Sequence, residues 1–358
     1  MKIKKSVGTL AMLGVFFLAL STIPLKASAE TIRLTFSTPV PQGSFIGKQH
    51  QWWADELKKR TDGRVNVRIY WMGSLVEWKD ALHGVRTGMC DIATPCSTYN
   101  PSDFPLYMVL DMPYNGNDYW AAMLAGIETW ENEPHLKAEI DAAGIKILGN
   151  WMSGFFNLGV AKPTNSIRDL KGKAFRSFGG ARVKWMENMG INPIFMDYGA
   201  IYEAMDRGTI YGVEQVMILS DAFSHHEVVK DLFMTNAGFV LTCAPAMNLK
   251  KYESLPADIQ KIMMQLRDDF AAHYAEELYK LEAGLYEKWE KEKGVNIKQL
   301  SAEDKKFSVD AALEAQEFFL NQQEAKGQPA RKVWEYYNNS LKKYEKIRDT
   351  EGYPWAKK

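Results

Sequence analysis

The sequence predicts an α/β protein of two domains built to related plans. Three observations carry this reading: strand-like and helix-like segments alternate through the first hundred or so residues, the alternation returns after Ile145, and the chain becomes helical beyond Pro256. With 358 residues, 46% apolar and 25% charged, the chain is large enough for two packed domains. That composition excludes a disordered, collagen-like or disulfide-dense chain. Basic and acidic side chains number 44 each, so no electrostatic case exists for a nucleic-acid partner.

Residues 1–29 stand apart. Lys2, Lys4 and Lys5 precede an apolar run from about Val7 to Leu25, and Ala27-Ser28-Ala29 stand before Glu30. This is the layout of a secretory signal cleaved after Ala29. A retained anchor is the rival, since the run is nearly long enough to cross a bilayer. Ser21, Thr22 and Pro24 break its end and favour removal. No cysteine near the cut invites lipid attachment. Cleavage removes four lysines and no acid, leaving a mildly acidic protein with no later stretch apolar enough to span a membrane.

The elements then follow in order. Thr31–Ser37 alternates as a strand does, residues 46–60 repeat apolar positions at helical spacing, Asp62-Gly63 turns, and Val65–Tyr70 is again strand-like. Trp78–Arg86 reads as a helix stopped by Gly88, with Asp91–Ala93 as the next strand, an order that points to a parallel sheet covered by helices. The second round gives strands at Ile145–Trp151 and Lys173–Ser177, a helix at Ala181–Met189, a strand at Pro193–Met196, a helix at Ala200–Arg207 and a strand at Thr209–Val213. Residues 80–91 and 203–211 share a helix, a glycine stop and a short strand, which either a related plan or common helix-stop chemistry produces. From Pro256 to about Glu290 one long amphipathic helix braces both domains. Arg331–Ile347 is another, its Val333, Tyr336, Leu341 and Tyr344 packing on the parent chain in preference to a partner.

No catalytic signature is present. There is no G-x-S-x-G elbow, P-loop or G-x-G-x-x-G fingerprint. Six histidines occur, and His225-His226-Glu227 lacks the second histidine that a zincin helix needs, so surface or capping roles are favoured. Cys90 and Cys96 are near enough in sequence to bridge in an oxidising compartment, though buried free thiols are favoured. The strongest site candidate is Phe175–Arg182. Arg176 ends a predicted strand, and Gly179 and Gly180 follow before a helix, which would set a forked donor beside open backbone as an anion receptor. An exposed arginine after a turn is the plain alternative. Aromatic residues form a second feature: Trp71 and Trp78 flank one loop, and Trp151, Phe155 and Phe156 surround Ser153-Gly154, each at a strand end where open α/β sheets bind ligands. Such clusters are also the ordinary stuff of cores.

The runs Asp169-Leu170-Lys171-Gly172-Lys173-Ala174-Phe175-Arg176, Met189-Gly190-Ile191-Asn192-Pro193 and Ile201-Tyr202-Glu203-Ala204-Met205, with Gly208 and Tyr211-Gly212-Val213-Glu214-Gln215, resemble the extracytoplasmic solute receptors of TRAP transporters, the DctP family. The resemblance runs through nearly the whole mature chain. It implies a two-domain periplasmic-binding-protein-like fold: two open sheets covered by helices, joined by hinge strands and a long spanning helix. The implied boundaries are a signal peptide at 1–29, domain I at 30–152 plus 241–280, domain II at 153–240 plus 281–330, and a C-terminal helix at 331–358. It implies that Arg176 pairs with a solute carboxylate, that Gln215 hydrogen-bonds the solute, and that Tyr198 is an aromatic lid. Glu77 and Trp78 match the closing loop of the first domain, with Cys96 and Ser97 on its other wall. Phe156, Trp151, Phe178 and Gly180 complete the expected ligand-binding set.

Departures from the family pattern shape the expected solute. Many members carry a second arginine where this chain has Phe156, a polar residue where it has Pro39, and an acid where it has Cys96. A second carboxylate against Phe156 would cost several kcal/mol without a partner, so the expected solute is a monocarboxylate with a hydrophobic or aromatic body. The implied partners are that acid and the small and large subunits of a TRAP membrane permease. Neither nucleic acid nor membrane insertion after signal cleavage is expected. The receptor would be periplasmic, a monomer or weak dimer, without cofactor and without catalysis. Two rivals remain: an exported enzyme using Glu77 and Glu214, and a receptor serving a sensor kinase. Glu214 and Gln215 offer oxygen atoms to a metal ion, but two donors do not make a site.

Overall fold

The computed structural model describes residue 1, residues 31–152 and residues 154–357; the expected signal segment lies outside the described residues. Among the described residues eleven strands form two sheets. The first holds β1 (Ile32–Ser37), β2 (Val65–Tyr70), β3 (Ile92–Ala93), β4 (Ile145–Ile147) and β10 (Ala246–Asn248), ordered β2-β1-β3-β10-β4. The second holds β5 (Phe156–Val160), β6 (Ala174–Arg176), β7 (Asn192–Ile194), β8 (Gly212–Val216), β9 (Asp231–Met234) and β11 (Asn296–Gln299), ordered β11-β9-β5-β8-β6-β7.

The local physics of the first sheet follows the sequence pattern closely. Leu34 and Phe36 of β1 are buried, and β1 runs parallel to β2 and β3. Ser44 caps the helix Phe45–Arg60 by accepting from the Gly47 N–H at 3.1 Å, while Lys58, Lys59 and Arg60 complement its negative end. Gly88, at φ +76°, stops the helix Ala81–Thr87 in the left-handed conformation that glycine adopts without strain. Gly208, at φ +69°, follows Ile201–Asp206 in the same conformation.

The sheets are mixed, where the opening β-α-β-α-β order pointed to a parallel one. β10 enters the first sheet antiparallel to β3 and β4. β5 lies antiparallel to both β8 and β9 in the second. Both insertions come from chain segments that cross between the sheets. Two expected strands also shift: Trp151 lies beyond the end of β4, and the strand placed at Thr209–Val213 forms at Gly212–Val216. Every residue of β5 and β8 is buried, as central strands covered on both faces should be.

The chain passes from the first sheet to the second between β4 and β5 and returns between β9 and β10. A 35-residue helix, Ala257–Lys291, then carries it back to β11. Its buried stripe begins against the first sheet, where Phe270 packs near Trp52, and ends against the second, where the Trp289 indole N–H donates to Asp221 at 2.9 Å. Near its middle Glu282 accepts from Tyr119 and Tyr286. Two more helices follow. Ala302–Glu324 packs on Ala181–Asn188, with Trp185 donating to the Ser308 carbonyl at 3.0 Å. Ala330–Glu351 buries Val333, Tyr337 and Leu341 and sets Tyr344 edge-on against Trp120, 6.3 Å away in the same chain.

Candidate functional site

Arg176 is the last residue of β6 and is 1% exposed. Its guanidinium lies over the rings of Phe178, at 4.0 Å, and Tyr198, at 5.1 Å. Its Nε donates weakly to the Met196 carbonyl at 3.4 Å, and Nη1 has no partner. Among the described residues no carboxylate lies within ion-pairing distance. Burial pushes this guanidinium below its ordinary pKa, opposed in turn by Tyr99, Tyr198, Glu214 and Asp197.

Unspent hydrogen-bonding capacity gathers around it. Gln215, on β8 next to β6 in the sheet, is buried with both side-chain Nε2 and Oε1 unpartnered. His225 is fully buried, stacks on Tyr198 at 5.3 Å, and leaves both ring nitrogens free. Desolvation holds its pKa down to about 3, so the ring is neutral. The reading of His225 as a surface or capping residue is therefore corrected: the segment after β8 turns it inward. Buried polar groups are ordinarily satisfied, so such a cluster calls for an explanation.

The walls are aromatic. Trp78 packs against Tyr99 at 5.5 Å, Trp151 at 6.1 Å and Tyr198 at 6.3 Å, and its indole N–H is spent on the Thr94 carbonyl. Tyr198 meets Phe178 at 5.9 Å, and its hydroxyl bonds Ser220 at 2.9 Å. Tyr99, which follows the first sheet, reaches across to the second: its hydroxyl accepts from the Tyr198 backbone N–H at 3.4 Å. Trp78, Trp151, Phe178, Tyr198 and Arg176 thus meet in one connected set of contacts between the two sheets.

Other expected site residues lie at its margins. Glu77 has its side chain 71% exposed, pairs with Lys79 at 3.2 Å, and stands at the mouth of a 480 Å³ cleft that Trp78, Asp197 and Phe223 also line. The Ser97 hydroxyl is spent on Thr242 at 2.6 Å. Gly180, at φ +57°, precedes the helix Ala181–Asn188, and a side chain there would meet Met108 at 3.0 Å. Phe156 underlies a second arginine, Arg182, whose guanidinium sits 3.5 Å from its ring centre.

That second arginine was invisible as a partner in the sequence. Arg182, also 1% exposed, donates to Glu214 at 2.9 Å, to the Asp111 carbonyl at 2.9 Å and to the Ala237 carbonyl at 3.0 Å. Glu214 also accepts from the Phe178 N–H at 3.0 Å. Its oxygens are thereby occupied by the protein itself. Near this tie Cys96 forms a disulfide with Cys243, and Cys90 is the buried free thiol. This corrects the favoured reading of Cys96 as free, and also the Cys90–Cys96 alternative. Asp111 accepts from the Leu241 N–H at 2.6 Å and from the Thr242 hydroxyl on the same crossing segment.

A roomier groove of 700 Å³ lies between Pro101–Met108 and Phe318–Gln328. Among the described residues none of its lining side chains holds a buried unpaired polar atom. Volume alone does not single out a site.

Comparison with known proteins bears on the family and the fold. The sequence model of the bacterial extracellular solute-binding proteins, family 7 (DctP), matches residues 36–323. The chain is 27% identical over 252 residues, 70% of its length and 74% of the relative's, to the C4-dicarboxylate-binding periplasmic protein DctP of Rhodobacter capsulatus. Its fold matches a TRAP periplasmic solute-binding protein of Desulfovibrio salexigens with a TM-score of 0.70 and 25% identity, covering 90% of this chain and 97% of that one. It also matches a marine-metagenome TRAP solute-binding protein specific for aromatic acid ligands, in complex with 3-hydroxybenzoate, with a TM-score of 0.80 and 20% identity over 88% of this chain and 99% of that one.

Proposed function

The chain belongs to family 7 of the bacterial extracellular solute-binding proteins, and from that premise we propose that it is the receptor of a TRAP transporter for a monocarboxylate with a hydrophobic or aromatic body. The observation that carries this is Arg176: a guanidinium 1% exposed, with a free donor and no acid of its own. An unpaired buried charge is costly, and a carboxylate guest supplies the missing counter-charge through forked hydrogen bonds. Gln215 and His225 would bind the remaining oxygen lone pairs. Phe178, Tyr198, Trp78 and Trp151 would cover the body of the solute.

One carboxylate, not two, fits the chain. The relative from Rhodobacter capsulatus is named for C4-dicarboxylates, but here the second buried arginine, Arg182, is committed to Glu214. The structural neighbour specific for aromatic acids shares the architecture and is the better guide to solute shape. Binding would favour the form in which the two lobes close, since a ligand shifts an equilibrium only by its differential affinity. The closed receptor would then deliver its cargo, outside the cytoplasm, to the small and large subunits of a membrane permease. The function is binding without turnover: of the carboxylates considered for an enzyme, Glu77 faces solvent beside Lys79 and Glu214 is held by Arg182.

Titration calorimetry with benzoate, phenylacetate, branched aliphatic monocarboxylates and succinate tests this. Micromolar or tighter binding of an aryl or branched acid, lost in Arg176→Gln, is expected. Tight succinate binding with none of the monocarboxylates would sink the proposal.

A further inference from the structure

A line of packed rings leads from the carboxylate anchor to a second set of unpaired polar atoms. From Tyr198, beneath the Arg176 guanidinium, it runs to Trp78, then to Trp151 at 6.1 Å, and then to His50 at 6.3 Å and 82°. His50 projects from the helix Phe45–Arg60 and is 1% exposed; Trp151 is 2% exposed. Each ends in an unpaired atom, His50 Nε2 and Trp151 Nε1. A buried donor or acceptor left unmade is costly, so two on adjoining rings point to a guest that completes them.

We infer that His50 and Trp151 form a second recognition pole that reads a hydroxyl at the end of the solute remote from its carboxylate, so that the solute class is a hydroxylated aryl monocarboxylate. This inference rests on the reading of Arg176 as the carboxylate anchor. The His50 ring is fixed in place: its Nδ1 is hydrogen-bonded to the Thr38 hydroxyl at 3.0 Å, just past the end of β1, which leaves Nε2 as its one uncommitted atom. A hydroxyl is both donor and acceptor. It accepts from the Trp151 indole N–H and complements His50 Nε2 in either tautomer. A second carboxylate does not suit this pole, because burial holds the His50 pKa down to about 3 and the ring is neutral. Trp78 and Trp151, inclined by 31°, offer ring faces for a flat body between the poles. Trp53 and Trp130 also have unpaired indole N–H groups, but neither packs on the Trp78 and Trp151 wall: their ring partners are Phe36 and Tyr107.

Matched acids with and without a 4-hydroxyl, namely benzoates, phenylacetates and 3-phenylpropionates, test this by calorimetry. Three spacer lengths let the hydroxyl find its pole. The wild-type protein is expected to prefer the hydroxylated member of at least one pair by about tenfold or more, because a site built to bond a hydroxyl rejects the analogue lacking it. His50→Phe and, independently, Trp151→Phe should shrink that preference to about twofold or less, read as the affinity ratio within each pair so that any change common to both members cancels. Equal binding within every pair, binding of no member of the set, or an undiminished preference in both folded variants overturns the inference. Arg176→Gln separates the two claims. It should weaken both members of a pair alike; if affinity and hydroxyl preference both survive it, the anchor reading fails while the second pole stands.

Discussion

Arg176 and Arg182 sit on the same strand-to-helix segment, equally buried, and face opposite circumstances. Around Arg182 the protein supplies every answer: Glu214, the Asp111 and Ala237 carbonyls and the Phe156 ring. Nearby, Cys96–Cys243 and the bonds to Asp111 fasten the first sheet's side to the crossing segment between β9 and β10. Around Arg176 the protein supplies ring faces and leaves donors over, on Arg176, Gln215 and His225. The contrast teaches that burial and residue type do not separate a cation that the fold has answered from one that it leaves open. What separates them is whether the fold completes its hydrogen bonds.

If that contrast is right, its largest consequence is in stability. Arg182→Met strands Glu214 in the interior and should cost about 3–5 kcal/mol in urea unfolding, whereas Arg176→Met should leave stability unchanged or raise it. Equal destabilisation by the two changes would erase the distinction. Next comes the covalent part of the tie. The Cys96→Ala, Cys243→Ala double variant should lose about 3 kcal/mol, since the bridge closes a long loop in the unfolded chain. Coincident urea midpoints for the double variant and the oxidised wild type would count against it. On the binding side, Arg176→Gln should weaken an aryl monocarboxylate about 100-fold, equivalent to about 2.7 kcal/mol, with no change in fold by circular dichroism. A weaker effect than that of Tyr99→Phe would move the anchor elsewhere.

The smallest effect concerns acid. His225 is held to about pKa 3 in the fold against 6.5 in the unfolded chain. A depressed histidine contributes stability that is present above the unfolded pKa and is lost as pH falls below it. Between pH 6.5 and pH 5 this loss is about 2 kcal/mol. Asp111, pushed up to about 6 by burial, acts with the opposite sign in the wild type, so the informative quantity is a difference. Unfolding at pH 7 and pH 5 should show His225→Gln gaining on the wild type by that amount, and parallel losses would mean the histidine is not buried neutral.

How much of this was legible in the sequence depends on the range of the interaction. The strands Ile32–Ser37 and Val65–Tyr70, the helix between them and the glycine stops at 88 and 208 rest on neighbours a few residues apart, and local periodicity reveals them. Arg176 was legible for the same reason, as a strand-end residue before two glycines. The antiparallel entries of β5 and β10 depend on where a distant segment returns, which no local pattern records. So do the Cys96–Cys243 pair, 147 residues apart, and the Arg182–Glu214 pair. His50 was missed because it sits in no recognisable motif, and His225 was set aside because its His-His-Glu run lacks metal-binding spacing; only the third dimension puts them beside Trp151 and Tyr198. The one local signal available for His50 was its place on an otherwise apolar helix face, among Ile46, Trp53 and Leu57.

The bridge between Cys96 and Cys243 also changes what a broken backbone means for this molecule. A protease that nicks any loop between Ser97 and Thr242 yields two pieces that remain one covalent body. Such a nicked receptor would migrate as a single band without reductant and separate into fragments only after thiol treatment, so damage suffered outside the cytoplasm would go unseen until the sulfur link is cut.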